Sequence, residues 1–346
     1  MDSITHIALG AAIGDAQLGR KIGYKAALWG AALSTLPDLD VLLNPFIDSA
    51  AQLRIHRGLT HSFFFMFAAS PILGLLINRI HRADDLGWKP WAWLSFWCLL
   101  AHILIDIPTS YGTQAFEPFS NMQVTTDSLF IIDPFFTAPI IAGVIVAQTL
   151  DRKSVYRKWA SRISIIWAGF YIIWGLGVKA HVNHVFDQSF QEQYGQYERL
   201  KTQPGPFSTL MWMGYVERSD SIYGSTYSLF DEHRNLQFRG IAKNSHLVEP
   251  YIGNRPVDTL LWFSMDTYKM EEREGGLYLH DLRFGRSDFW LTEGAEFIWS
   301  NRFIFNEDST RVVDFERAIP IIDASVENRR QLWERFWGVH PEEQRE

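Results

Sequence analysis

The 346-residue chain has a single cysteine, Cys98, so it can form neither an intrachain disulfide nor a cysteine-based zinc cluster. It also lacks a basic excess. Its 32 Lys and Arg stand against 39 Asp and Glu, and a net charge of −7 argues against a general nucleic-acid binder. Internal repeats and low-complexity tracts are absent. Met1-Asp2-Ser3 has no basic n-region and Asp15 interrupts the first apolar stretch, so no cleavable signal is expected. Mean hydropathy is −0.07, but that average hides a split. Residues 1–180 hold 14 basic and 12 acidic residues, whereas 181–346 hold 18 and 27, so charge is sparse only in the first part.

That first part reads as a membrane domain. Apolar runs occupy Phe63–Ile77, Trp91–Ile107, Leu129–Leu150 and Ile163–Val178. Spanning a bilayer takes about 20 mostly apolar residues, and four such runs in one half are unusual for a soluble fold. Two weaker stretches, Ile4–Leu18 and Ala26–Leu36, are rich in Ala and Gly and predict a tight helical hairpin turning at Gly19–Gly23. Basic residues cluster in alternate connections: Arg20, Lys21 and Lys25; Arg79, Arg82 and Lys89; and Arg152, Lys153, Arg157, Lys158 and Arg162. Residues 108–128 carry no Lys or Arg. Positive charge stays inside, which predicts six membrane helices with the 37–62 and 108–128 connections, and everything after about residue 180, outside. Arg54 and Arg57 run against that assignment.

From about Thr209 the period shortens. Leu210–Glu217, Tyr223–Phe230, Thr259–Tyr268, Gly276–Phe284 and Phe297–Phe305 mix β-branched and aromatic residues between short polar turns, which predicts an antiparallel meander. Residues 326–337 read as an amphipathic helix, and polar Gln188–Gln203 as a connecting helix or linker.

Ionisable residues beside apolar helices need a partner or a task. Asp38 and Asp40 in Pro37-Asp38-Leu39-Asp40 would share a face if the chain is extended there, and otherwise serve as a helix-end cap or turn. His56 and His61 flank Gly58 where a loop enters a helix, a place for either a capped start or a ligand pair. His102 and Asp106 are four apart on one helix face, suited to a buried hydrogen bond or to a metal. By the loop-charge topology, these residues together with His6, Asp127 and Asp133 all lie toward the outer side, whereas Asp15 lies inward. Mixed nitrogen and oxygen donors suit Zn²⁺, Mn²⁺ or Fe²⁺.

Met1-Asp2-Ser3-Ile4-Thr5-His6, Gly10-Ala11-Ala12-Ile13-Gly14, Pro37-Asp38-Leu39-Asp40, His56-Arg57-Gly58-Leu59-Thr60-His61-Ser62 and the His102/Asp106 pair together resemble the membrane-bound metal-dependent hydrolases of the YdjM type, over most of residues 1–140. The resemblance implies a polytopic membrane protein with a His/Asp metal centre.

The expected architecture is therefore α+β. A polytopic α-helical membrane domain (1–180) precedes a connecting helix or linker (181–204) and a soluble antiparallel β-rich extracytoplasmic domain with a C-terminal helix (205–346). The expected ligands of one or two divalent ions, Zn or Mn, are His6, Asp38, Asp40, His56, His61, His102 and Asp106. Asp106, Asp40 and Asp133 are the candidate general bases. The expected activity is water activation at the outer membrane interface, with membrane lipid and a lipid-like or small-molecule ester as partners and no nucleic acid. A transporter or non-catalytic metal-binding membrane protein is the competing reading, since intramembrane His and Asp also line ion pathways.

Overall fold

The computed structural model describes residues 1–82, 85–273, 275–288, 296–320 and 326–339, the side chains of 326–328 excepted. The chain divides into two compact units, Met1–Pro45 with Ile55–Leu176, and Phe46–Arg54 with Gly177–Glu346.

In the first unit, the carboxylate of Asp2 accepts from the amides of Ile4 and Thr5 at 3.0 and 3.1 Å and starts α1 (Ser3–Ile22). Gly23, at φ +65°, makes the turn into α2 (Tyr24–Thr35). The two helices touch backbone to backbone. A Cβ on Gly30 would meet the Gly10 carbonyl oxygen at 2.0 Å, and one on Gly14 would meet that of Ala26 at the same distance. A 3-10 segment, Pro37–Phe46, follows α2. After a short α3 (Ser49–Ile55), which belongs to the second unit, come α4 (Phe63–Ile80), α5 (Trp88–Asp106), α6 (Pro134–Thr149) and α7 (Val155–Tyr194). Leu9, Ile13, Trp91, Leu94, Phe136 and Ile140 form the core of this unit.

Each of the six apolar stretches contributes a helix, but the helices differ in their fitness to span. Among the described residues, α4 and α7 are long and apolar enough to cross a membrane. The pair formed by α2 and Pro37–Phe46, bent by 48°, is a third candidate. The stretch from Leu129 yields only 16 helical residues, because Asp133 caps α6 and Pro134 opens it. That is about 24 Å against a hydrocarbon core of about 30 Å. Arg157 is not the solvated loop charge expected from its basic neighbours. It is buried on α7 and donates to the carboxylate of Asp15 on α1, which also accepts from Gln148 at 3.0 Å and Ser161 at 2.7 Å.

The second unit holds two four-stranded antiparallel meanders. The first comprises β1 (Arg199–Pro204), β2 (Met211–Arg218), β3 (Ser221–Ser228) and β4 (Arg239–Ala242). Trp212 and Tyr227 of this sheet pack on Val182, Val185 and Phe186 of α7. The second sheet comprises β5 (Tyr268–Arg273), β6 (Gly276–Asp281), β7 (Ser300–Phe305) and β8 (Val312–Ala318). Val257 and Leu260 of α8 (Arg255–Phe263) cover Met270, Leu279 and Phe303. A last helix, α9, spans Val326–Phe336.

Two expectations change here. Thr259–Tyr268 is not one strand. Pro256 in the first turn and the three-residue spacing of Val257 and Leu260 make α8, and β5 starts only at Tyr268. Gln188–Gln203, expected as a connecting helix or linker, is helical only in its first part. Val182, Val185, Phe186 and Phe190 keep helical spacing and carry α7 on to Tyr194, and polar β1 follows as an edge strand. Glu274, in the turn expected at Glu272–Gly275, lies outside the described residues.

In the second sheet His280 is fully buried, with Nδ1 2.7 Å from Ser300 Oγ and Nε2 3.0 Å from a Glu271 carboxylate oxygen. Burial pushes the His280 pKa down. The His280 imidazole, aided by Arg273, holds Glu271 well below the usual carboxylate range. Both groups bind protons more readily unfolded than folded, so both withdraw stability on acidification, below about 6.5 for His280 and about 4.5 for Glu271. Thermal midpoints of the full chain should therefore fall as pH drops through that window, and His280→Gln should flatten the upper part of the curve. The α1–α2 contact gives a second expectation. Gly30→Val should cost about 3 kcal/mol or more in unfolding experiments, whereas Gly169→Ala, whose added Cβ meets nothing within 4 Å, should be close to neutral.

Candidate metal centre

Three sequence-distant segments of the first unit supply the site. His6 comes from the first turns of α1, where Asp2 fixes the helix start. His102 and Asp106 project from one face of α5. Asp38 comes from the 3-10 segment after α2. One donor atom from each of these four residues lies within 4.8 Å of all the others. The His6 and His102 rings stack with centroids 3.8 Å apart, and His61 stands edge-on to His102 at 4.7 Å. His61 Nε2 lies 3.2 Å from Asp38 Oδ1 and 3.6 Å from Asp106 Oδ2, so it faces the same two carboxylates. His6, His61, His102 and Asp106 are fully buried, and the Asp38 side chain keeps 20% exposure.

The pattern of protons matters most. His102 Nδ1 lies 2.6 Å from the Ser34 carbonyl oxygen, which can only accept, so Nδ1 carries the hydrogen. In the neutral ring, Nε2 then presents a lone pair to Asp106 Oδ2 at 3.3 Å and to Asp38 Oδ1 at 3.6 Å. His102 Nε2, both ring nitrogens of His6 and Asp106 Oδ2 are buried with no hydrogen-bond partner. His102 Nε2 in the neutral ring and Asp106 Oδ2 face one another as acceptors with no donor between them, which is costly in a dry interior, and a cation there removes the conflict. The residues present fit a divalent metal on this ground, and the Ser34 carbonyl is the kind of outer partner that fixes a ligating imidazole.

The two carboxylates of Asp38-Leu39-Asp40 part company. Pro37 does not hold Leu36 out of helical geometry, since Leu36 lies at φ −54°, ψ −42°, and the chain enters a 3-10 helix rather than an extended run. At three residues per turn, i and i+2 point about 120° apart, not to one face. Asp38 and Asp40 meet different nitrogens of the His61 ring, Asp38 Oδ1 at 3.2 Å from Nε2 and Asp40 Oδ2 at 3.5 Å from Nδ1. Asp40 also lies 2.9 Å from His56 Nδ1 and accepts from the Arg57 amide at 3.2 Å and Thr60 Oγ1 at 3.2 Å. His56 and Asp40 thus form a neighbouring pair, with the His56 ring centroid 5.9 Å from that of His61. Asp133 is engaged elsewhere: it accepts from the Phe135 and Phe136 amides and from Tyr171 Oη at 2.9 Å.

Arg57 was not among the expected site residues. It is buried at φ +58°, donates to Asp106 at 3.1 Å and to Thr109 Oγ1 at 2.7 Å, and lies over Tyr111 at 4.9 Å. The Met1 α-amino group also donates to Asp106. Its position between the two histidines of His56-Arg57-Gly58-Leu59-Thr60-His61 was the available signal. The charge that ran against the loop topology is an internal counter-charge, not a solvated loop residue.

Residues 1–182, the helical segment that contains every one of these donors, match the model of the family described as YdjM inner membrane protein. The chain belongs to the YdjM inner membrane protein family. Among curated relatives it is similar to the uncharacterized protein YfhP of Bacillus subtilis (strain 168), 33% identical over 157 residues, which covers 42% of this chain and 46% of the relative. It is also similar to the inner membrane protein YbcI of Escherichia coli (strain K12), 33% identical over 109 residues, 32% of this chain and 61% of the relative. The chain thus spans less than two thirds of the length of either. No solved structure matches it.

Removing a donor should release the metal while removing a distant carboxylate should not. Elemental analysis of dialysed protein should find metal retained in Asp133→Asn, which keeps a capping side chain, and lost in His102→Ala and Asp106→Asn. His61→Ala should weaken metal affinity about 10- to 100-fold.

Proposed function

We propose that the chain is a membrane-bound metal-dependent hydrolase that cleaves an amphipathic ester at the extracytoplasmic membrane–water interface. The observation that carries this reading is His102 Nε2, which in the neutral ring presents a lone pair 3.6 and 3.3 Å from two carboxylate oxygens, an arrangement that suits a cation. His6, Asp38, His102 and Asp106 would hold it, with His61 against the same carboxylates, and the mixed N and O set suits Zn or Mn, as one or two ions. A divalent ion held there would supply Lewis acidity toward water and a phosphoryl or carbonyl oxygen. Asp106 is then spent as a ligand. Asp40 acts through His56: the buried carboxylate orients an imidazole whose side chain keeps 25% exposure and can take up a proton. Arg57 holds the Asp106 carboxylate in place.

Two further features support location and substrate class. The basic residues flanking the C-terminal end of α1 and the N-terminal end of α5 lie at the opposite ends of these helices from His6, His102 and Asp106, and positive charge favours the inner side. The segment that carries Asp38 also exposes Leu39, Leu42 and Leu43. The connection hydrogen-bonded to Arg57 through Gln114 exposes Phe116 and Phe119. Apolar groups of this kind beside a polar centre suit a substrate with a lipid tail.

Full-length protein, stripped by chelator and reloaded with Zn or Mn, should hydrolyse at least one of a set of phospholipids, aryl phosphodiesters and carboxyl esters. His56→Ala should lower the rate by about 10²- to 10⁴-fold while metal content stays unchanged. Stoichiometric metal with no turnover on any of them would reject the hydrolase in favour of a non-catalytic metal-binding protein. A reporter fused after Glu346 that works only in the cytoplasm would reject the orientation.

A further inference from the structure

A groove of about 460 Å³ runs along α1, α5 and α7 on the helical unit, away from the donor cluster. Leu9 of α1, Leu104 of α5 and Ile172 of α7 line the end level with the His/Asp residues. Gln17, Trp93 and Arg162 line the other end. From Trp93 to Ile105 the groove follows α5 for about 18 Å, more than half of the hydrocarbon thickness of a bilayer. Its walls are apolar except at the Gln17 and Arg162 end, and Arg162 is the one charged residue among them.

Three observations bear on what fills it. Arg162 is exposed and has no carboxylate partner among the described residues; its guanidinium rests over Trp159 at 5.8 Å. Its helical neighbour Arg157, by contrast, is neutralised by Asp15. Gly169 sits in the wall, and a Cβ there would meet no atom within 4 Å, so no helix among the described residues presses on that position. Trp93 and Trp97 line the groove and remain exposed, side chains that sit well at the depth where acyl chains meet headgroups. A long apolar channel ending in one unpaired cation is complementary to an acyl chain ending in an anionic headgroup.

We infer that the α1/α5/α7 groove is a binding site for an anionic phospholipid, with an acyl chain along Ile13, Trp97 and Ile172 and the headgroup phosphate on Arg162. The phosphate lies at the end of the helices opposite the His/Asp cluster. This lipid is therefore not the substrate of the proposed hydrolase, and the site stands whether or not that activity is found.

The test is native mass spectrometry of the delipidated full-length protein titrated with phosphatidylglycerol or phosphatidylcholine of matched chains. The wild type should retain phosphatidylglycerol in preference to phosphatidylcholine. Arg162→Gln should bind phosphatidylglycerol about fivefold more weakly and lose the preference. Gly169→Phe, which fills the groove from a position free of packing contacts, should lose both lipids while keeping its bound metal, and that retained metal reports an intact fold. Equal retention of the two lipids by wild type and Arg162→Gln would overturn the headgroup assignment. Undiminished lipid binding in Gly169→Phe, or a lipid-free dimer that Gly169→Phe dissociates, would overturn the groove as a lipid site.

Discussion

The helical unit is organised around a local surplus of electron pairs. Asp106 is fully buried and brings a negative charge to a point reached by three imidazoles and a second carboxylate. The surroundings answer part of that charge with the Arg57 guanidinium and the Met1 amino group. They do not answer the outward lone pair of His102, whose hydrogen is committed to the Ser34 carbonyl. Leaving one such group unsatisfied costs a few kcal/mol, and here several share one small volume. The helices that supply these groups stay together because their other faces pack well, so the conflict is held in place and not relaxed by spreading apart.

What lets them pack is the absence of side chains. Ser34 must come close enough to α5 for its carbonyl to orient His102, which places α2 tightly between its neighbours. Gly10, Gly14 and Gly30 allow α1 and α2 to meet at backbone contact. At the far end of α1 the Asp15–Arg157 pair, with Gln148 and Ser161, joins α1, α6 and α7. Two polar clusters thus sit at opposite ends of α1. One is closed, with its charges matched, and the other is open to a cation.

Much of this is legible in the residues themselves. His102 and Asp106 on an apolar helix, and the histidines at the entry to α4, are chemically out of place wherever the fold puts them, so their involvement can be read without knowing the partners. The divergence of Asp38 and Asp40 cannot. It depends on whether the backbone after Pro37 extends or coils, a choice of small energetic difference that packing decides. Arg57 is misleading for a related reason, since a charge in a loop looks solvated until the loop is folded inward. In the second unit the alternating strands β2, β3, β6 and β7 announce themselves. The polar strands β1 and β8, and the helix α8 with its strand-like composition, do not, because edge position and helix capping leave weaker traces than a half-buried face.

The stretch between Asp38 and His56 has a further consequence. Its middle, Phe46–Arg54, belongs to the second unit: Ala50 joins the core of Val257 and Leu260, and Asp48 pairs with Arg255 at 2.7 Å. The two donor-bearing segments are therefore the ends of a loop whose centre is pinned by a folded body elsewhere in the chain. The chain leaves the helical unit just after Asp38 and re-enters it just before His56, and the residues between belong to the β-rich unit. Any insertion or deletion in the 46–54 stretch is thus constrained from two sides, by the donor-bearing segments at its ends and by the Ala50 and Asp48 contacts at its centre.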